Sequence, residues 1–272
     1  MLRQQELLLI STLAKPLGAA IVFFAILIWL RSICLSHHRL SYIMINPDKI
    51  SLRDFCPPVA WKLLGYLPRP ASSPAPLGDE QPSEYYNQFG RDSHLGLHYT
   101  RSQYYPTWLL IVDRLQAWGC SSVLDIGCGP GQFARLLHDN GISSYVGVDF
   151  NQLRIQHAER ICPSYSFICR DISEDGLIEA QNYDAVVLTE FLEHVTGDLE
   201  VIQRIQPGAS ILATVPNHGG KAHVRKFEST EDVIVRYGTF IDNVKVRTVP
   251  LNESGSSSLQ FFEGTRNSTR LT

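Results

Sequence analysis

Basic residues are not in excess in this sequence. Its 272 residues hold 24 Lys+Arg against 27 Asp+Glu, a formal net charge of −3. Gripping phosphate backbones needs a net basic surface, so nucleic acid is not expected as a partner. Cysteine pairs are also missing. The six cysteines, Cys34, Cys56, Cys120, Cys128, Cys162 and Cys169, form no C-x-x-C pair and are irregularly spaced. That argues against a disulfide scaffold or a zinc cluster and makes a reducing compartment the default. There are no internal repeats. With 44% hydrophobic and 19% charged residues the chain is neither disordered nor collagen-like. Its length suits one generous domain with appendages, able to bury a full core without cross-links.

What the sequence does have, at its start, is a long apolar run. Residues 7–30 are broken only by Ser11, Thr12, Lys15 and Pro16. The run exceeds the ~20 residues that span a bilayer, with Lys15 costing roughly 3 kcal/mol if central. Residues 1–35 are therefore expected to form a hydrophobic, membrane-anchoring helix. Arg31, Arg39 and Lys49 follow it, which places the rest of the chain on the cytoplasmic side. A cleaved signal peptide is the rival, but no small-x-small site follows the run. If translation starts instead at Met44, the protein is cytoplasmic. Residues 36–84 read as a connector. Five prolines in residues 68–82 prevent a helix or a central strand, so this part is a semi-extended linker.

Residues 85–272 then alternate short apolar runs with amphipathic stretches. Strands are predicted at 122–126, 145–150, 166–170, 183–189, 210–215, 244–249 and 258–262. Helices are predicted at 132–139, 152–161, up to 205, and 229–237 with Ser229 as N-cap and Gly238 as stop. Strands separated by helices imply an α/β fold with a parallel sheet covered on both faces. Two final strands with only a polar turn between them imply a C-terminal hairpin at one edge.

The chemistry is concentrated at the ends of these strands. In VLDIGCGPG, residues 123–131, an apolar strand ending in Asp125 runs into Gly127, Gly129 and Gly131 and opens a helix. Glycines let a backbone turn sharply and lie against a ligand; a tight turn with no ligand is the plainer alternative. Asp149 ends the second strand, 22 positions after Gly127, where a carboxylate can accept hydrogen bonds from both ribose hydroxyls. Asp171 ends the third strand. It can accept from an adenine amine while Ile172 packs on the ring, or it can simply cap the next segment.

Taken together, VLDIGCGPGQFA, GVDF, CRDI, YDAVVLTEFLEHV and SILATVPN resemble the successive motifs of class I S-adenosylmethionine-dependent methyltransferases. The resemblance covers roughly residue 85 to the C-terminus. It implies a Rossmann-like seven-stranded sheet with the last strand inserted antiparallel, and S-adenosyl-L-methionine as cofactor. In that scheme Asp125 and the glycine loop hold the methionine end, Asp149 the ribose, and Asp171 with Ile172 the adenine. The third glycine comes one residue earlier than in the dinucleotide fingerprint G-x-G-x-x-G.

The fourth strand is followed by Glu190, Glu193 and His194. At i, i+3 and i+4 these share one face if the turn is helical, and two carboxylates with an imidazole suit a divalent metal such as Mg. The spacing is similar to the E-x-x-E-H motif of ubiquinone-pathway O-methyltransferases and small-RNA ribose methyltransferases. His223 is a candidate further ligand and His218 a second. Alternatively His194, with Glu193, lines the acceptor pocket without a metal, and His194 is the first candidate base. Residues 85–108, rich in aromatics, either cover the cofactor or pack on the sheet edge. The expected activity is methyl transfer to a small-molecule or lipid-linked acceptor, at a hydroxyl oxygen. A non-catalytic cofactor-binding module on a membrane tether and an RNA ribose methyltransferase are the alternatives.

Overall fold

A computed structural model describes residues 76–90 and 96–270. The apolar run at 7–30, Met44 and most of the connector lie outside these residues. Among the described residues no helix is long and apolar enough to cross a membrane.

Seven strands form one sheet in the order β3-β2-β1-β4-β5-β7-β6. They are β1 (Ser122–Ile126), β2 (Ser144–Asp149), β3 (Ser166–Cys169), β4 (Ala185–Thr189), β5 (Ser210–Pro216), β6 (Ile241–Pro250) and β7 (Ser258–Arg266). Among the described residues the α-helices are α1 (Tyr105–Ala117), α2 (Gln132–Asp139), α3 (Gln152–Ile161), α4 (Asp198–Arg204) and α5 (Thr230–Tyr237). β1 to β5 pair in parallel, while β7 runs antiparallel between β5 and β6. The expected hairpin is therefore present, with β7 inserted next to β5 and β6 on the edge.

The central strands are apolar because both faces are covered. One layer centres on Leu124, Val186, Leu188, Ile211, Val215, Tyr237 and Phe262. The other gathers Val123, Val187, Leu212 and Phe261 under Trp108, Ile111, Leu115 and Phe133. Successive residues of β1 and β4 alternate between the two layers, as a pleated strand requires. Helix α5 begins at a capping box. The Ser229 hydroxyl accepts from the Asp232 amide, and the Asp232 carboxylate accepts from the Ser229 amide.

Topology positions the site. β1 lies between β2 and β4, and their connections leave in opposite directions, which opens a crevice at the C-terminal ends of these strands.

Candidate active site

The chain leaves β1 through Gly127–Gly131 under tight constraint. The amides of Gly127 and Cys128 both donate to the Val148 carbonyl, at 2.8 and 3.0 Å. Gly127 has φ +78°, and a Cβ there would lie 2.7 Å from the Phe191 ring. Gly131 has φ +85°, and a Cβ there would lie 2.7 Å from the Cα of Ala158 on α3. Both positions therefore require glycine, one to admit Phe191 and one to let α3 close on the loop.

Asp149, at the end of β2, is buried. Its Oδ2 accepts from the Gly129 amide at 3.0 Å and its Oδ1 from the Asn151 amide at 2.8 Å. Burial raises its pKa, against the lowering effect of nearby Arg154 and the two amides. Asp125 is also buried. Its Oδ2 accepts from the Tyr145 hydroxyl at 2.6 Å, while its Oδ1 has no partner among the described residues. Burial pushes the Asp125 carboxyl up to about 7. Asp171 is exposed, and its Oδ1 accepts from the Ser173 amide at 2.8 Å, the turn-capping role.

A cleft lies beside these residues at the C-terminal ends of the strands, where ligands of such sheets sit. Of the residues singled out from sequence, Gly127, Asp149, Asp171, Ile172, Glu190 and His194 line it. Asp125, Gly129, Gly131, Glu193 and His223 are not on its wall. Gly129 and Gly131 act from behind, one by holding Asp149 and the other by admitting α3.

A segment assigned from sequence to the connector crosses this cleft. The Gly78 and Asp79 amides donate to the His223 and Lys221 carbonyls at 2.9 and 3.2 Å. The Glu80 carboxylate accepts from the Thr196 amide and hydroxyl at 3.1 and 2.9 Å. On the far side the Asn151 side chain donates to the Ser83 carbonyl at 2.7 Å. Glu80, Gln81 and Tyr86 thus line the cleft. Proline-rich composition concealed Glu80 and Gln81, because a strap held by its neighbours' hydrogen bonds has no periodic signature. The aromatic segment divides its work: Tyr86 faces the cleft, whereas Trp108 packs in the core, 5.9 Å from the Phe133 ring.

The turn after β4 departs from expectation. Glu190 has φ +52° and Leu192–His194 form one short 3-10 turn, so Glu190 is not on a helical face with Glu193 and His194. The Glu190 carboxylate instead accepts from the Thr214 hydroxyl at 3.2 Å. Burial raises its pKa to about 7. The group whose donor atoms all lie within 4.8 Å of one another is Glu193, His194 and His223.

Glu193 is fully buried and neither carboxylate oxygen has a hydrogen-bond partner among the described residues. Burial, then the neighbouring Glu190, push its pKa well up. His194 places Nδ1 2.9 Å from the Ala222 carbonyl. A carbonyl only accepts, so the proton sits on Nδ1 and Nε2 keeps its lone pair. Burial holds the imidazole neutral, with a pKa lowered to about 4. The His194 Nε2 lies 3.6 Å from Glu193 Oε1. His223 repeats the arrangement, with Nδ1 3.0 Å from the His218 carbonyl. His218 stacks on the His223 ring at 5.6 Å and supports it through its backbone.

A family model described as a methyltransferase domain matches residues 123–207. A ubiquinone biosynthesis O-methyltransferase of Coxiella burnetii (strain Dugway 5J108-111) is 31% identical over 119 residues, covering 41% of this chain and 50% of that protein. The ubiquinone biosynthesis O-methyltransferase of Salmonella arizonae is 28% identical over 120 residues, covering 41% and 49%. The chain thus spans about half the length of the curated relatives it matches. Among solved structures, magnesium protoporphyrin IX methyltransferase from Synechocystis PCC 6803, with bound SAH, superposes with a TM-score of 0.51. That likeness covers 68% of this chain and 97% of the other at 17% identity, and it is one of fold.

Proposed function

The chain carries a class I S-adenosylmethionine-dependent methyltransferase domain, and from that premise we propose that it transfers a methyl group to a hydroxyl oxygen of a small-molecule or lipid-linked acceptor. The observation that carries this reading is the shared cleft, whose wall carries Gly127, Asp149, Asp171 and Ile172 together with Glu190, His194 and Tyr86.

S-adenosylmethionine, when bound, supplies a methyl group already activated on a sulfonium. The protein's task is then mainly orientation. Asp149 and Asp171 offer acceptors to ribose hydroxyls and an adenine amine, and Ile172 an apolar surface to the base. The unpartnered Asp125 Oδ1 lies behind the glycine loop, where the methionine ammonium enters the scheme. His194 takes the acceptor's proton on Nε2, the nitrogen its Ala222 contact leaves open.

Alternatively, where His194 is not the base, Glu193, His194 and His223 fit a divalent cation, which would take the same Nε2 lone pair. The Glu193 carboxylate is buried without a hydrogen-bond partner among the described residues, and both imidazoles are oriented through Nδ1 on backbone carbonyls, as metal-ligating histidines usually are. Such an ion lowers the pKa of a hydroxyl bound to it. Two nitrogens and one carboxylate suit a borderline transition metal better than Mg, which prefers oxygen ligands. The N-terminal apolar run, on this reading, holds the domain on the cytoplasmic side of a membrane.

The test uses the full-length protein with methyl-labelled S-adenosylmethionine and a cell extract. Label is expected in small-molecule or lipid fractions and not in RNA. Changing His194→Ala is expected to lower transfer by roughly 10²-fold or more while leaving cofactor affinity within about twofold. Undiminished transfer by that variant would make the histidine structural.

A further inference from the structure

Among the described residues, one cation of the cleft forms no ion pair, although the Asp149 carboxylate lies near enough to feel its charge. The cleft wall carries four carboxylates and two guanidiniums. Each carboxylate already has a partner within the protein: Glu80 has Thr196, Asp149 the Gly129 and Asn151 amides, Asp171 the Ser173 amide, and Glu190 the Thr214 hydroxyl. Arg170 is closed off by an ion pair with Glu174. Arg154 forms no ion pair among the described residues.

Arg154 is nevertheless held in place. It sits in the first turn of α3 and is half-buried. Its Nε donates to the Tyr86 carbonyl at 3.4 Å, and its Cζ lies 4.9 Å from the centroid of the Tyr86 ring. The remaining guanidinium N–H groups have no partner among the described residues. Their fork is the geometry that matches a planar carboxylate or a phosphate. The Tyr86 ring also meets the His194 ring edge-on, with centroids 6.1 Å apart. The cation and the candidate base therefore both meet one aromatic ring of the cleft.

We propose that Arg154 is an anion-recognition point for the acceptor, which carries a carboxylate or phosphate group besides the hydroxyl presented to His194. This rests on the methyltransferase reading above and adds the acceptor's charge.

The experiment is calorimetry on the full-length protein loaded with S-adenosylhomocysteine. The probes are 3,4-dihydroxybenzoate, phenyl phosphate and the neutral 3,4-dihydroxybenzamide. At least one anionic probe is expected to bind tenfold or more tighter than the amide, and which one it is identifies the group. In Arg154→Gln that preference is expected to vanish, with S-adenosylhomocysteine affinity within threefold of wild type. Equal binding of all three probes, no binding of any, or a preference that survives in Arg154→Gln would overturn the proposal. So would a tenfold loss of S-adenosylhomocysteine affinity in the variant, because Arg154 would then serve the cofactor. Failure of wild type to bind S-adenosylhomocysteine would instead strike the cofactor reading itself, before any acceptor probe is added.

Discussion

Asp125 shows how far a single buried group ties the site to stability. Its carboxyl titrates near 7 in the folded chain, against an ordinary value of 3.8, because burial penalises its charge. As pH rises, the unfolded chain releases this proton first. The group's contribution to stability is therefore fully present below about pH 4 and declines as pH approaches 7. Asp125→Asn keeps an acceptor for the Tyr145 hydroxyl and has nothing to titrate. Urea unfolding at pH 4.5 and 7.5 is expected to show the variant gaining on wild type at the higher pH, by more than about 1 kcal/mol. Parallel pH profiles would contradict the assignment. A second residue-scale test separates Glu193 from Glu190. Titration with Mn²⁺ is expected to show binding that is lost in Glu193→Ala and His223→Ala but kept within about threefold in Glu190→Gln. Loss in Glu190→Gln would restore the ligand set drawn from sequence spacing.

At the scale of elements, the turn carrying Glu193 and His194 is too short to hold itself. Arg225 clamps it: its guanidinium donates to the carbonyls of Leu192, Val195 and Thr196. Arg225 also pairs with the buried Asp198 at 3.2 Å, which takes Arg236 and the Tyr237 hydroxyl as well. The Val224 amide adds a bond to the Glu193 carbonyl at 2.8 Å. α4, α5 and the loop after β5 thereby together fix the turn that carries Glu193 and His194. Arg225→Ala leaves Asp198 one cation and three carbonyls without their donor. It is expected to cost about 3–5 kcal/mol, the scale for breaking a buried pair, read as a lower denaturation midpoint. A change below about 1 kcal/mol would show that the turn is held by other means.

Most elements were legible before any coordinates. The helices at 132–139 and 152–161 and strand 122–126 coincide with those observed, because apolar period and glycine punctuation both mark them. The edge strand β6 is longer than its apolar stretch. Its exposed residues carry no hydrophobic signal, and an irregularity between Asp242 and Lys245 breaks the alternation. The turn after β4 misled for a different reason: spacing of i, i+3 and i+4 implies one face only in a helix, and Glu190 adopts φ +52°. Arg154 and the strap at residues 77–84 were invisible because their roles depend on neighbours distant in sequence.

At the scale of the whole molecule, two features meet at one place. The chain enters the described domain along the strap, and the strap spans the cleft from the Lys221–His223 loop to Asn151. The central claim, that the cleft binds S-adenosylmethionine, is tested most directly by calorimetry on the full-length protein. Wild type is expected to bind one equivalent. Asp171→Ala, an exposed change that removes one charged acceptor from the adenine end, is expected to weaken binding about tenfold or more. Absence of binding to wild type, or equal affinity for both proteins, would contradict the account.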